Sequence, residues 1–121
     1  MKDKKIIFMG TPDIAAEHLN ILIENNFNVV GVFTQPPRKK NRGMQVEKSD
    51  VHQIADKNNT EVFYPSTIDD TTIEQVKRIE PDLIIIIAYG IILPSNFLNI
   101  PKYGCITVSY THLTLPTNRE V

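Results

Sequence analysis

Residues 28–34 read Asn-Val-Val-Gly-Val-Phe-Thr, a short apolar run with polar residues at both ends. Such a run predicts a β-strand, and the lack of polar alternation predicts that both of its faces are buried. Strands buried on both faces are typical of parallel sheets that carry helices on either side. This stretch therefore favours an α/β fold.

A strand followed by a helix is predicted on the amino-terminal side of this run. Residues 5–9 are mostly apolar and end at Gly10, as expected for a first strand. Thr11 is predicted to cap the helix, with Pro12 at its first position and Asp13 at its positive end. Four apolar residues then recur at helical spacing: Ala15, Leu19, Leu22 and Ile23.

The same alternation continues on the carboxyl-terminal side. Three more strands are predicted at 61–64, 82–88 and near 104–108, and two more helices at 49–58 and after Asp69 or Asp70. The strand at 82–88 has the clearest pattern, because its β-branched run follows Pro81, which disfavours helix. The order implies right-handed crossovers and a Rossmann-like, doubly wound parallel sheet.

Composition limits the class of protein. A chain of 121 residues with 41% hydrophobic and 22% charged residues suits one globular domain. Its longest apolar run, 83–88, is far shorter than the roughly 18 residues of a membrane span. The amino terminus has no signal-peptide core, so we expect a cytoplasmic protein without membrane association.

The chain offers little for metal or redox chemistry. Cys105 is the single cysteine and the three histidines are far apart, so no internal disulfide and no zinc set is expected. His18 and His52 fall on the first two helices and are expected to be surface residues rather than catalysts.

A long exposed loop is predicted at 35–49, and it is basic. The segment 37–50 has a net charge of +3 while the rest of the chain has −4. Arg38, Lys39, Lys40 and Arg42 stand close enough together for contacts to nucleic-acid phosphates. The alternative is a solvated charged face, and the residues alone favour neither interpretation.

Two other segments are expected at the carboxyl edge of the sheet, where ligands bind in such folds. Residues 10–13 place a helix start there, but a single glycine excludes the dinucleotide fingerprint, and a plain tight turn is an equal alternative. Residues 89–94 form an apolar loop that can receive a flat heterocycle. By pattern alone, a loop packed under a neighbouring helix is slightly favoured over that role.

Taken together, these segments resemble the start of the methionyl-tRNA formyltransferase family. The resemblance is carried by 5–13 (Lys-Ile-Ile-Phe-Met-Gly-Thr-Pro-Asp), 31–36 (Gly-Val-Phe-Thr-Gln-Pro) with Arg42-Gly43, and 81–83 leading into 88–94 (Ala-Tyr-Gly-Ile-Ile-Leu-Pro). Ile100-Pro101 and Gly104-Cys105-Ile106 continue it. It covers residues 4 to about 108. Pro37 departs from the aspartate that the family commonly has.

The resemblance implies the fold, the reaction and the ligands. The fold would be the N-terminal half of a formyltransferase domain, and the reaction formyl transfer from 10-formyltetrahydrofolate to initiator methionyl-tRNA. No metal and no obligate protein partner are implied. The site residues implied are Gly10, Thr11, Pro12 and Asp13 in an active-site loop, Tyr89, Gly90, Ile91, Ile92 and Leu93 along the folate, and Arg38, Lys39, Lys40 and Arg42 on the tRNA.

The family's catalytic residues are not intact in this sequence. Its Asn-x-His motif falls at Thr107 and Ser109, and its aspartate would lie beyond Val121. A threonine hydroxyl can still donate one hydrogen bond, but serine cannot replace imidazole in proton transfer near neutral pH. We therefore expect the 121 residues themselves to be inactive.

The last residues do not continue the family pattern. Residues 1–108 are interpreted as a partial N-terminal formyltransferase domain, and 109–121 as foreign sequence or a frame slip. Two alternatives stay open: part of a folate-dependent sugar-amine formyltransferase, and a non-catalytic RNA- or nucleotide-binding α/β module.

Overall fold

The computed structural model describes residues 3–40 and 45–108. In chain order these residues form β1 (Ile6–Gly10), α1 (Asp13–Glu24), β2 (Val29–Phe33), β3 (Arg38–Lys40), β4 (Gln45–Glu47), α2 (Asp50–Lys57), β5 (Val62–Phe63), α3 (Asp70–Ile79), β6 (Leu83–Ile87), α4 (Ser95–Leu98) and β7 (Cys105–Val108). Among them, no helix is long and apolar enough to cross a membrane.

Five strands form one parallel sheet in the order β5-β2-β1-β6-β7. The chain moves outward from β1 through β2 to β5, then crosses back and continues from β6 to β7. The strand order therefore reverses between β1 and β6, which is where doubly wound sheets bind ligands at their carboxyl ends. The predicted Rossmann-like fold is confirmed.

Helices cover both faces of the sheet because alternate side chains of each strand point to opposite sides. Ile84 and Ile86 of β6 pack with Val76 of α3. Ile87 and Phe8 pack on the other side, where α1 and α2 contribute Leu19 and other apolar residues. The apolar runs that predicted the strands are thus explained by burial on both faces.

The predicted cap of α1 is wrong. Pro12 occupies the N-cap position and makes no side-chain cap, and the carbonyl of Pro12 accepts from Ala16 N at 3.0 Å. The Thr11 hydroxyl instead donates to the Tyr89 carbonyl on a neighbouring segment. The Thr11 side chain therefore makes a tertiary hydrogen bond instead of the local cap that the sequence predicts.

The expectation of an irregular loop over 35–49 is also wrong in part. Residues Arg38–Lys40 and Gln45–Glu47 pair as antiparallel strands, which we call the basic ribbon. Such a short ladder is held by backbone hydrogen bonds and shows no apolar alternation in the sequence. Its register places Arg38 opposite Glu47 and Lys40 opposite Gln45.

The short helix α4 was not predicted. It follows Pro94, and its Phe97 is fully buried in the core beneath α3 and β6. Four residues are too few to show helical periodicity in the sequence. This turn is instead stabilised by the burial of one aromatic side chain.

Candidate functional site

Three segments meet at the carboxyl edge of the central strands, as the sequence predicts. The Thr11 hydroxyl donates to the Tyr89 carbonyl at 2.9 Å, and Gln35 Nε2 donates to the same oxygen at 2.9 Å. The Gln35 backbone N–H donates to the Thr11 hydroxyl at 3.3 Å. We call these three residues the hub, because they join the ends of β1, β2 and β6.

The backbone after β6 turns through an uncommon conformation. Ala88 has φ 51° and Gly90 has φ 89°, both in the left-handed region. A left-handed alanine is uncommon, and such strain persists only where surrounding contacts hold it. Here the two hydrogen bonds to the Tyr89 carbonyl and the buried Tyr89 side chain hold the turn.

Tyr89 contributes to the core as well as to the hub. Its side chain is 2% exposed and packs with Phe33 and Phe97. Its hydroxyl has no hydrogen-bond partner among the described residues, and burial raises the pKa of Tyr89 to about 12. The phenol is therefore neutral at physiological pH, and the backbone of Tyr89 faces the other hub residues.

The apolar loop after Tyr89 divides between core and surface. Ile91 and Leu93 are partly buried against the same core as Tyr89. Ile92, by contrast, is 89% exposed. Assignment of residues 89–93 to a flat heterocycle remains a prediction.

The other predicted site residues lie around this edge. Pro12 and Asp13 are exposed at the start of α1, and Thr107 is exposed in β7. Thr107 pairs with Ile86, which pairs with Met9, so its backbone lies two strand spacings, about 10 Å, from β1.

The basic residues divide between described and undescribed parts of the chain. Arg38, Lys39 and Lys40 form β3, which begins three residues after Gln35. Arg42 and Ser109 lie outside the described residues.

A second cluster at this edge was missed in the sequence. His52 is 5% exposed, so the expectation that it is a surface residue is wrong. Its ring stacks on that of Tyr64, with centroids 5.3 Å apart. Its position beside the buried residues Val51 and Ala55 on one helical face is the signal that was available. His18 is partly buried and its Nδ1 lies 2.8 Å from the carbonyl of Ile14.

The two charged side chains near His52 have opposite effects on its pKa. Burial lowers the pKa of His52, Asp56 raises it to a smaller extent, and Lys48 lowers it. Lys48 and Asp56 form an ion pair at 2.5 Å, and this hydrogen bond lowers the pKa of Asp56. Because both side chains are about half exposed, solvent and salt screen this ion pair.

A cleft of about 590 Å³ lies at the opposite, amino edge of the sheet. Its wall includes Lys5 and Asp82, which are joined by a 2.8 Å bond from the Lys5 backbone to the Asp82 carboxylate. Parallel sheets bind ligands at the carboxyl edge, so the hub is the stronger candidate. Within the described part of the chain, no group of His, Cys, Asp and Glu is arranged to hold a metal ion.

Gly90→Ala is expected to destabilise the protein by about 2 kcal/mol, and Gly104→Ala by about 1 kcal/mol. Both glycines have positive φ, so both alanines meet the same backbone strain. A Cβ on Gly90 also contacts Gln35 Nε2, whereas a Cβ on Gly104 has nothing within 4 Å. The additional loss is the bond from Gln35 to Tyr89.

Denaturant unfolding of both variants, and of Gly90→Ala combined with Gln35→Ala, measures this difference. With Gln35 already removed, Gly90→Ala is expected to destabilise no more than Gly104→Ala does. Equal losses for the two single glycine variants would contradict the role assigned to Gln35.

Comparison with known proteins extends the sequence resemblance. The family described as Formyl transferase matches residues 4–115. Methionyl-tRNA formyltransferases of Francisella tularensis subsp. mediasiatica and Francisella philomiragia subsp. philomiragia are each 46% identical to this chain over 110 residues. The aligned part is 89% of this chain and 35% of each relative, so the chain spans about a third of their length.

Proposed function

Because the chain belongs to the formyl transferase family, we propose that it is part of a cytoplasmic methionyl-tRNA formyltransferase. The reaction transfers the formyl group of 10-formyltetrahydrofolate to the amino group of initiator methionyl-tRNA. The observation that carries the proposal is the hub. Thr11, Gln35 and Tyr89 come from three separate motifs of the resemblance, and they are hydrogen-bonded to one another at the carboxyl edge of the sheet.

The folate is assigned to the loop 89–93. The hub fixes the Tyr89 carbonyl, and the positive φ of Gly90 turns the chain so that Ile92 is exposed beside it. A backbone turn held by hydrogen bonds, with one exposed apolar side chain after it, suits a flat ring. No metal is assigned to the reaction.

The tRNA is assigned to the basic ribbon and to Arg42. The ribbon leaves the same sheet edge as the hub, after Pro36-Pro37, and its segment carries a net charge of +3. Lysine and arginine contacts to phosphates release counterions, so the affinity for tRNA is expected to fall steeply with salt.

The chemical step requires groups that this sequence does not supply. Attack of the methionine amine on the formyl carbon produces a tetrahedral oxyanion and requires removal of a proton from nitrogen. Donors stabilise the oxyanion, and a base takes the proton. Thr107 supplies one hydroxyl donor, but serine at 109 cannot act as the base near neutral pH. We infer that residues 1–121 alone bind ligands without transferring the formyl group.

The first test is to resequence the source DNA downstream of the codon for Ile106, with primers outside the doubtful tail. If the DNA encodes Asn-x-His and a further domain, the complete gene product is expected to formylate methionyl-tRNA and not a sugar amine. Failure of that product to formylate methionyl-tRNA would overturn the proposal. If Thr107 to Val121 and a stop are encoded, salt-dependent tRNA binding without turnover is expected.

A further inference from the structure

Tyr64 stands at the carboxyl end of β5 with an exposed ring. Its side chain is 50% exposed, and the His52 ring is stacked against it with centroids 5.3 Å apart and an interplanar angle of 29°. His52 itself is 5% exposed. One ring is therefore embedded in the protein and supports a second ring that is open to solvent.

This ring pair lies at the base of the basic ribbon. Thr34 leads into the ribbon, and its N–H donates to the carbonyl of Phe63, the residue before Tyr64, at 3.1 Å. Ser49 follows the ribbon, and its hydroxyl lies 2.6 Å from the Thr34 hydroxyl. Ser49 also accepts from the His52 N–H at 3.0 Å. The chain entering the ribbon, the chain leaving it and the ring pair are thus held together.

Histidine is not the side chain that would stabilise the buried position 52 most. Nδ1 of His52 is buried and has no hydrogen-bond partner among the described residues. An unsatisfied buried polar atom is unfavourable, and an apolar side chain of similar size would avoid it. A flat ring at this position does, however, hold the Tyr64 ring in one orientation, which lowers the entropy lost when a ligand stacks on it.

We propose that Tyr64, supported by His52, is a stacking platform for an unpaired base of the RNA whose phosphates the basic ribbon contacts. Proteins recognise unpaired RNA bases by stacking them on aromatic side chains, and nearby basic residues hold the phosphates. This inference rests on the proposed function, since it takes the RNA to be the tRNA substrate.

The position of the platform indicates which nucleotide it takes. β5 is two strands from β1, so Tyr64 lies about 10 Å from the end of β1, the strand that leads into Thr11. The stacked base therefore belongs to the unpaired end of the acceptor helix, near the reacting nucleotide but separate from it. His52 is a positioning residue in this arrangement, and Tyr64 is the residue that touches the base.

The test measures binding of the complete gene product to two RNA minihelices of the same stem. One has an unpaired 3′ overhang with 2-aminopurine in it, and the other is blunt. Tyr64→Ala is expected to weaken binding of the overhang RNA about tenfold and to abolish quenching of the 2-aminopurine, with no change for the blunt RNA. Tyr64→Phe is expected to retain both properties because its ring still stacks.

Tyr103 supplies a matched control. It is 56% exposed, and Lys4 and Lys102 lie 5.4 and 5.5 Å from its ring centroid, but it precedes β7 at the amino edge of the sheet. Tyr103→Ala is expected to bind both RNAs as the unmodified protein does. The slope of affinity against salt is expected to be the same for all variants, since stacking releases no counterions.

Three results would overturn the platform while the proposed function stands. In the first, Tyr64→Ala binds the overhang RNA normally. In the second, Tyr64→Ala weakens binding of both RNAs equally, which indicates a structural role. In the third, the unmodified protein transfers the formyl group, but its binding does not quench the 2-aminopurine of the overhang RNA. If that protein neither binds tRNA nor transfers the formyl group, the proposed function fails and the platform fails with it.

Discussion

Thr107→Asn together with Ser109→His is expected to raise formyl transfer about 10²–10⁴-fold in an otherwise complete enzyme. The gain comes mainly from histidine, which can accept the amine proton near neutral pH, whereas serine cannot. Asparagine adds a smaller gain, because the Thr107 hydroxyl that it replaces already donates one hydrogen bond. Thr107 is exposed in β7, pairs with Ile86 of β6 and lies one residue before the carboxyl end of its strand.

A chimera makes this measurement possible. Residues 4–109 of this chain replace the matching residues of the methionyl-tRNA formyltransferase of Francisella tularensis subsp. mediasiatica, which is 46% identical over the aligned region. The chimera and its doubly substituted form are compared for kcat and KM with methionyl-tRNA. The expected difference lies in kcat, because neither position belongs to the assigned folate or tRNA contacts.

The single substitutions separate the two roles. Ser109→His alone is expected to recover most of the rate, and its rate is expected to fall at acidic pH as the imidazole becomes protonated. Thr107→Asn alone is expected to change the rate little. Equal turnover of the original and doubly substituted chimeras would show that this proton transfer does not limit the reaction.

The parallel sheet was predictable because strands buried on both faces require continuous apolar runs, which are visible in the sequence. The β-branched run of β6 and the apolar residues of β2 satisfy that requirement without any tertiary information. The basic ribbon and α4 show no such apolar pattern in the sequence. A three-residue ladder depends on backbone bonds, and α4 depends on one buried ring, Phe97.

The meeting of the three candidate segments at one sheet edge was predictable, but the contacts between them were not. Parallel strands deliver their carboxyl ends to one edge, so the segments at Thr11, Gln35 and Tyr89 had to be neighbours. The hydrogen bonds between them depend on the three-dimensional positions of the side chains, which the sequence does not show. The capping assignment of Thr11 failed for this reason, since its partner is 78 residues away. The stack of His52 on Tyr64 likewise joins a helix to a strand end.

Gly10→Ala is expected to destabilise the protein by about 3 kcal/mol or more. A Cβ on Gly10 would lie 2.6 Å from Ala15 Cβ and 2.7 Å from the carbonyl oxygen of Ile87. These neighbours belong to α1 and to the backbone of β6, which both lie against the end of β1. Neither can move away without disturbing the pairing of Gly10 with Ile87 or the position of Thr11.

Gly31→Ala is the matched control, because Gly31 also lies in an interior strand. There a Cβ would meet only Phe63 within 4 Å, at 3.2 Å from Cε1, and an aromatic ring can tilt by a few tenths of an ångström. A loss of about 1 kcal/mol or less is expected. Urea unfolding of both variants gives the comparison, with m-values checked for equality. A Gly10 variant as stable as the Gly31 variant would mean that α1 can withdraw from β1, and the hub would then not be a rigid support for the loop 89–93.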